Sequence, residues 1–128
     1  MSRDLVSVIV VTRNRKSDLI ECLNSIEASS CKGLEVIVVD NASSPSVSVW
    51  LPKKFPKVKL ITNKINNGPA KGRNQGIAVS GGKFILFIDD DSKIDKNMIL
   101  KLIKVLMRDK RVGIVQPKIY DMKKRNIL

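Results

Sequence analysis

Histidine is absent from this 128-residue sequence, and cysteine occurs only at Cys22 and Cys31. Without histidine, Ser-His-Asp and Cys-His nucleophilic catalysis are excluded. There is also no CxxC or Cys/His cluster, which argues against a zinc site. Any acid–base or metal chemistry must therefore use carboxylates. The sequence permits a disulfide between the two cysteines, but α/β domains of the cytosol usually keep their thiols reduced.

Aromatic residues make up only 4% of the chain, so the core must be built from isoleucine, valine and leucine. The same scarcity leaves few side chains for stacking on bases, which argues against nucleic-acid binding. The first apolar run, Leu5–Val11, is far too short to cross a membrane. The charged start at Ser2–Asp4 is not typical of a signal peptide. We therefore predict a cytoplasmic protein.

Acidic residues are rare near the carboxyl terminus, although the whole chain has a net charge of +12. From Lys96 onward there are ten lysines and arginines against two acids, Asp109 and Asp121, whereas residues 1–95 carry fourteen against ten. Two interpretations stay open. One is a solvated, lysine-rich surface. The other is attraction to phosphorylated ligands or anionic lipids, with peripheral membrane contact through the basic carboxyl-terminal third.

Strand-like and helix-like segments alternate along the chain, which predicts a single α/β domain over residues 1–128. Three of the strands are nearly continuous apolar runs, as expected when helices cover both faces of a doubly wound, mainly parallel sheet. Helices are predicted over Ser17–Ala28, from Ser44-Pro45 to Leu51, over Asn67–Val79 with closure at Gly81-Gly82, and from a cap at Asp95. The predicted strands are Val6–Thr12, Leu34–Asp40, Val58–Thr62, Phe84–Asp89 and Val112–Pro117.

Polar residues follow three of these strands at the point where each strand ends. Ligands of doubly wound sheets bind beyond the carboxyl ends of the strands, so the sequence predicts a binding site at this rim. An acid such as Asp40 could accept hydrogen bonds from a ribose or base, or could instead cap the turn at Asn41. The three groups are Thr12-Arg13-Asn14, Asp40-Asn41 and Asp89-Asp90-Asp91.

The three adjacent aspartates are the most unusual of these groups. In an extended chain, Asp89 and Asp91 point to one side and Asp90 to the other. Neighbouring carboxylates repel each other, and a divalent cation relieves that repulsion. Mg²⁺ or Mn²⁺ binds through one or two carboxylates plus substrate phosphates and can neutralise a diphosphate leaving group. The alternative is a turn that uses aspartates only as caps.

A glycine repeat precedes the fourth strand. Gly68, Gly72 and Gly76 recur every four residues and share one face of a predicted helix, which allows close approach of a strand or a ligand. Arg73 offers a guanidinium fork for a phosphate or a base. The segment matches neither GxGxxG nor the P-loop pattern. Tight helix–sheet packing, with Arg73 merely exposed, is the alternative.

Five stretches, in the same order and at similar spacing, resemble glycosyltransferase family 2, which has the GT-A fold. They cover nearly the whole chain, and the ending VVTRNR resembles the rhamnosyltransferase-like branch. The resemblance implies a metal-dependent, inverting transfer of a sugar from a UDP-, GDP- or TDP-linked donor to the hydroxyl of an unidentified glycan or lipid-linked acceptor. The stretches are VSVIVVTRNR, LEVIVVDNASS, NKINNGPAKGRNQGI, GGKFILFIDDDSKI and VGIVQPKIYD.

The resemblance also implies a role for each rim residue. Asp89-Asp90-Asp91 would be the DXD motif, with Asp91 on a Mn²⁺ or Mg²⁺ ion and Asp89 as its predicted second carboxylate. Asp40 would bind the base or its ribose. The predicted nucleotide-sugar-binding residues are Thr12, Arg13, Asn14, Asp40, Asn41, Gly72, Arg73, Asn74, Asp89 and Asp90.

Domains of this family are usually much longer, and their later part carries the acceptor site and the general base. Asp121 does not match that base, so no catalytic residue is identified. A non-catalytic donor-binding fragment or partner subunit is therefore the main alternative, and an exposed sheet edge would favour a homodimer. A haloacid-dehalogenase-like phosphatase also has DxD after an apolar strand, but its downstream partner residues do not fit here.

Overall fold

The runs of valine and isoleucine form the centre of a parallel sheet in the computed structural model, which describes residues 6–123. The strands lie in the order β3-β2-β1-β4. This arrangement confirms the predicted α/β class with a parallel sheet. The strands are β1 (Val6–Thr12), β2 (Leu34–Asn41), β3 (Lys59–Asn63) and β4 (Phe84–Phe87). The helices are α1 (Lys16–Glu27), α2 (Leu51–Lys54), α3 (Gly68–Val79) and α4 (Met98–Arg108).

Helices cover both faces of the sheet, as predicted. On one face, Val8 and Val10 of β1 belong to a buried cluster with residues of α1 and α4, among them Leu23 and Ile103. On the other face, a second cluster is formed by Ile9, Ile37 and Val39. Because successive residues of a strand point to opposite faces, β1 contributes to both clusters.

Helix α3 lies unusually close to β1 on the second face. A Cβ atom on Gly76 would come within 2.6 Å of Ile9 Cγ2, and one on Gly72 within 2.9 Å of Val11 Cγ1. Such distances are shorter than real Cβ contacts. The glycine repeat therefore serves helix–sheet packing at these two positions, which was the alternative to a direct ligand contact.

Several predicted boundaries were wrong for local reasons. Strand β4 ends at Phe87 instead of Asp89, because the chain turns and the Ser92 amide donates to the Asp89 carbonyl at 3.0 Å. Residues 112–119 form no strand: β4 is an edge of the sheet formed by the described residues 6–123, and Ile114 is 90% exposed. The predicted strand Val112–Pro117 is therefore absent.

Two helix starts also differ from the prediction. The segment after β2 begins with Ser46, not Ser44, as the cap of a 3₁₀ turn at Val47–Val49, because Ser46 Oγ accepts the Ser48 amide, and α2 follows. Helix α4 is capped by Asn97, not Asp95. The Asp95 carboxylate instead accepts the backbone amide of Asn97, two residues later, at 2.9 Å.

The amino-terminal end of the sheet is tied together by one buried carboxylate. Glu35 of β2 accepts hydrogen bonds from Ser7 Oγ at 2.5 Å, from the Gly81 amide at 2.8 Å and from Lys59 Nζ. Burial alone raises the pKa of Glu35, but the Gly81 amide, Lys59 and Ser7 outweigh it and lower the pKa to about 2. The charged carboxylate therefore links β1, β2, β3 and the entry to β4.

We expect Glu35→Gln to lower the free energy of unfolding by about 2 kcal/mol at pH 7. The side-chain NH₂ group of glutamine would face groups that themselves donate hydrogen bonds, and it would do so in a buried site. Because the pKa of Glu35 is lower in the folded than in the unfolded protein, its carboxylate stabilises the fold fully above pH 4.5. That stabilisation is lost as the pH falls toward 2. Urea unfolding at several pH values between these limits should show a flatter pH dependence in the variant. Glu27→Gln, at an exposed position, serves as the control. Parallel pH profiles for Glu35→Gln and the wild type would contradict this role.

Candidate functional site

An open cavity of about 360 Å³ lies at the carboxyl ends of β1, β2 and β4. We call it the rim cleft. Its volume lies in the range of small-molecule sites. Parallel pairing brings Thr12 opposite Asp40 in register, so polar residues far apart in sequence meet at this edge. The cleft is lined by Val11, Thr12, Arg13, Arg15, Asn41, Asn66, Pro69, Arg73, Ile88, Asp89, Asp90 and Asp91.

Asp90 points into the protein, away from its two neighbours. It is buried, and its Oδ2 accepts a hydrogen bond from Thr12 Oγ1 at 2.8 Å. Burial raises the pKa of Asp90, and the Thr12 hydrogen bond and the nearby Arg15 charge oppose that increase. Thr12 is itself 2% exposed, so this pair joins the ends of β1 and β4 beneath the cleft.

Asp89 and Asp91 have side chains that are 71% and 55% exposed, and each meets one arginine. Arg73 Nη2 lies 3.5 Å from Asp89 Oδ1, and Arg15 Nη1 lies 3.3 Å from Asp91 Oδ2. The two guanidinium groups come from different elements, Arg73 from α3 and Arg15 from the residue that caps α1. The exposed and buried aspartates thus alternate as predicted, although the chain turns at Asp90-Asp91 instead of staying extended.

The chemistry of this donor set fits a hard divalent cation. Carboxylate oxygens are the ligands preferred by Mg²⁺ and Mn²⁺. Within residues 6–123, no group of three or more His, Cys, Asp or Glu side chains could hold a metal ion. Binding of such an ion by Asp89 and Asp91, with phosphate and water as its remaining ligands, stays a prediction.

A buried thiol lies beneath the aspartate turn. Cys22 Sγ is 3.6 Å from the Asp89 carbonyl oxygen, and its burial, reinforced by the three aspartates, raises the pKa of the thiol to about 12. Cys22 and Cys31 are both free. The Cys22 thiol is therefore protonated at neutral pH and acts as a core residue.

Asp40 lies outside the lining of the cleft. Its side chain is fully buried, with Oδ1 accepting from the Ser43 amide at 3.0 Å and Oδ2 from the Val47 amide at 2.9 Å and from Ser46 Oγ at 3.3 Å. These contacts hold the loop after β2, as in the turn-capping alternative. A direct contact between Asp40 and a nucleoside stays a prediction.

Two asparagines organise the loops around the cleft. Asn14 has a positive φ of 53°. Its backbone N–H donates to Ser43 Oγ, and its side-chain Oδ1 accepts from the backbone N–H of Ser44. Asn41 donates from Nδ2 to the Gly68 carbonyl at 2.9 Å and so holds the start of α3. Asn41 also lines the cleft, whereas Asn14 joins two loops beside it.

The structure brings together most of the predicted site residues, but not all. Gly72 is buried against Val11 and Asn74 is exposed, and neither lines the cleft. Sequence reasoning missed two polar residues of the cleft, Arg15 and Asn66. The predicted residues that do meet there are Thr12, Arg13, Asn41, Arg73, Asp89, Asp90 and Asp91.

The family described as Glycosyl transferase family 2 matches residues 7–127. A Haemophilus influenzae protein, named as an uncharacterized glycosyltransferase, is 32% identical over 111 residues, which are 87% of this chain and 37% of that protein.

Solved structures are similar over the same part of the chain. S. aureus TarS 1–349 in complex with UDP-GlcNAc has a TM-score of 0.73 at 29% identity, over 81% of this chain and 31% of that one. The mannosyltransferase PcManGT of Pyrobaculum calidifontis, in complex with GDP-Man and Mn²⁺, has a TM-score of 0.72 at 26% identity, over 82% of this chain and 33% of that one. The chain thus spans about a third of the length of these relatives.

Proposed function

Because this chain belongs to glycosyl transferase family 2, we propose that it binds the nucleotide-diphosphate-sugar donor of a glycosyltransferase. The observation that carries the proposal is the rim cleft, where two exposed carboxylates and two arginines face a cavity of about 360 Å³. The complexes of TarS with UDP-GlcNAc and of PcManGT with GDP-Man support a donor of this chemical class. The proposed reaction is inverting transfer of the sugar to an acceptor hydroxyl.

The polar residues of the cleft divide into two proposed roles. Arg13, Asn41 and Asn66 line the cleft and would contact the nucleoside. Asp91 and Asp89 would hold Mn²⁺ or Mg²⁺, and the Mn²⁺ in the PcManGT complex supports the use of a divalent cation. Such an ion, when bound, neutralises charge on the diphosphate leaving group. Asp90 and Thr12 keep the two exposed carboxylates in position through their buried hydrogen bond.

Donor binding and sugar transfer are separable in this proposal. The chain spans about a third of the length of its relatives, and among the described residues 6–123 no side chain has an assigned role as general base. For this chain alone we propose donor binding, as a fragment or partner subunit. The match to a glycosyltransferase family disfavours the phosphatase alternative.

Calorimetric titration with UDP, GDP and TDP, and with their sugar conjugates, tests the proposal. We expect at least one of them to bind, with roughly 10- to 100-fold higher affinity in Mn²⁺ than in a chelator, which is the usual size of such coupling. Absence of binding to every nucleotide in the presence of Mn²⁺ would rule out the proposed function.

We further propose that the protein is cytoplasmic and contacts an anionic membrane peripherally through α4. Lys101, Lys104 and Arg108 are exposed along one side of this helix, and Val105 and Met107 flank them. The opposite side packs into the core through Ile99 and Ile103, so the contact would be mainly electrostatic. Among residues 6–123, no helix has the length and apolar composition needed to span a bilayer.

Replacing Lys101, Lys104 and Arg108 together by glutamine should weaken binding to vesicles that contain anionic lipid by at least tenfold, since each basic residue near such a surface contributes about 1 kcal/mol. Vesicle co-sedimentation measures the effect, with purely zwitterionic vesicles as the lipid control. Glutamine at Lys53, Lys54 and Lys57, which are equally exposed, is the matched protein control. Equal losses in the two triple variants would contradict a role for α4.

We also propose that strand β4 pairs with a second copy of the chain. It is an edge of the sheet, and Ile85 and Phe87 are 38% and 45% exposed beside that edge. Unpaired edges with apolar neighbours are ready sites for strand addition. Light scattering tests this proposal, and a strict monomer at high concentration would exclude it.

A further inference from the structure

Both exposed aspartates of the rim cleft already have a positively charged partner. Asp91 contacts Arg15 and Asp89 contacts Arg73, through single N–O approaches of 3.3 and 3.5 Å. All four side chains are at least 42% exposed. Solvent screening makes pairs of this kind weak, so they break at little cost.

A guanidinium and a divalent cation compete for the same carboxylate. Arg15 lies on Asp91 Oδ2, one of the oxygens that a metal ion would need. Two positive charges at that position would also repel each other. While Arg15 stays in place, Asp91 is therefore a poorer ligand than its exposure suggests.

The two arginine side chains differ in how easily they can move away from their aspartate partners. Arg73 also lies over the ring of Phe87, with its guanidinium carbon 5.9 Å from the ring centre, so a second contact holds it. For Arg15, the backbone is anchored because its carbonyl accepts the Leu19 amide at 2.9 Å, while its side chain is 52% exposed. Arg15 is therefore the residue that can move without disturbing helix α1.

Resting on the proposed function, we propose that Arg15 is a positioning residue that exchanges partners when the donor binds. It occupies Asp91 in the free cleft and turns to the diphosphate once Asp91 becomes a metal ligand. Its planar fork suits phosphate oxygens, and charge-assisted hydrogen bonds of this kind are strong. The exchange makes the metal ion bind poorly alone and well together with the donor.

The variant Arg15→Gln tests both contacts of Arg15. Loss of the contact with Asp91 should raise the affinity for Mn²⁺ alone, and loss of the contact with the diphosphate should lower the affinity for the nucleotide. We expect Mn²⁺ alone, followed by the electron paramagnetic resonance signal of the free ion, to bind about threefold more tightly, since a weak competing pair is lost. UDP or GDP with Mn²⁺, measured by calorimetry, should bind about tenfold more weakly, since a guanidinium–phosphate contact is lost. Circular dichroism verifies that the variant is folded.

Two controls make the experiment specific. Arg111→Gln removes an arginine from an exposed pair with Asp109 outside the cleft, and it should change neither affinity. Adding Arg15→Gln to Asp91→Asn should give no gain in Mn²⁺ affinity, because the contested carboxylate is already gone. A gain in that background would overturn the exchange.

The possible failures are distinguishable. If the wild type binds a nucleotide with Mn²⁺ but Arg15→Gln leaves both affinities unchanged, or weakens both, the exchange is wrong and the proposed function stands. If the wild type binds no nucleotide, the proposed function fails and the exchange fails with it.

Discussion

Asp91→Asn is expected to abolish the effect of Mn²⁺ on nucleotide binding while leaving the fold intact. The Asp91 side chain is 55% exposed and pairs with the similarly exposed Arg15, so loss of the carboxylate should change the free energy of unfolding by less than about 0.5 kcal/mol. An amide is a neutral and much weaker ligand for a hard cation. The gain in affinity from Mn²⁺ should fall from roughly 10- to 100-fold in the wild type to less than about threefold.

Calorimetric titration of the bound nucleotide, in Mn²⁺ and in a chelator, measures this change. Asp95→Asn is the matched control because Asp95 is also an exposed aspartate on the same loop but does not line the cleft. Asp89→Asn should cause a smaller loss if Asp89 is the second carboxylate. Full retention of the Mn²⁺ effect in Asp91→Asn would show that Asp91 is not the metal ligand.

Gly76→Val is expected to lower the free energy of unfolding by about 3 kcal/mol, the upper range for overpacking of a dense core. Its Cβ would lie 2.6 Å from Ile9 Cγ2, and two further atoms of the same side chain lie at 3.1 Å, so a rotation of Ile9 cannot relieve the clash. Ile9 is 1% exposed and lies on the central strand β1. Helix α3 would have to move away from the sheet, and Arg73 and Pro69 of the cleft would move with it.

Urea unfolding measures the loss of stability, and nucleotide titration should show weaker binding. Gly113→Val is the control because no atom lies within 4 Å of the added Cβ, so stability should change by less than about 0.5 kcal/mol. Combining Gly76→Val with Ile9→Ala should cost less than the sum of the two single losses, since the clashing atoms are removed. An unchanged midpoint for Gly76→Val would show that α3 can shift without cost.

Some elements could be predicted closely because local sequence and packing favour the same structure. β1 matches its predicted range. Helix α3 ends at Val79 as predicted and begins one residue later than predicted. The prediction of a carboxyl-terminal strand was wrong because local composition and tertiary packing favour different structures there. Val112–Pro117 has the composition of a strand, but strand formation also needs a hydrogen-bonding neighbour, and none is adjacent to that segment among the described residues.

The candidate site shows the same limit at the level of single side chains. Asp40 and Asp89 both follow apolar strands, so the sequence pattern treats them alike. In the structure, Asp40 is buried under its own loop and Asp89 is exposed in the cleft. The difference depends on contacts with Ser43 and Val47, which no strand pattern encodes.

By itself, the sequence determined the family, the parallel α/β class and the edge of the sheet at which polar residues gather. Those follow from apolar runs and from the rule that parallel strands end together. Only the tertiary structure decided which polar residues face the cleft and which support it from below. The reason is physical: the Thr12–Asp90 hydrogen bond and the Arg15–Asp91 pair join residues more than seventy positions apart, and such contacts exist only after the strands have packed.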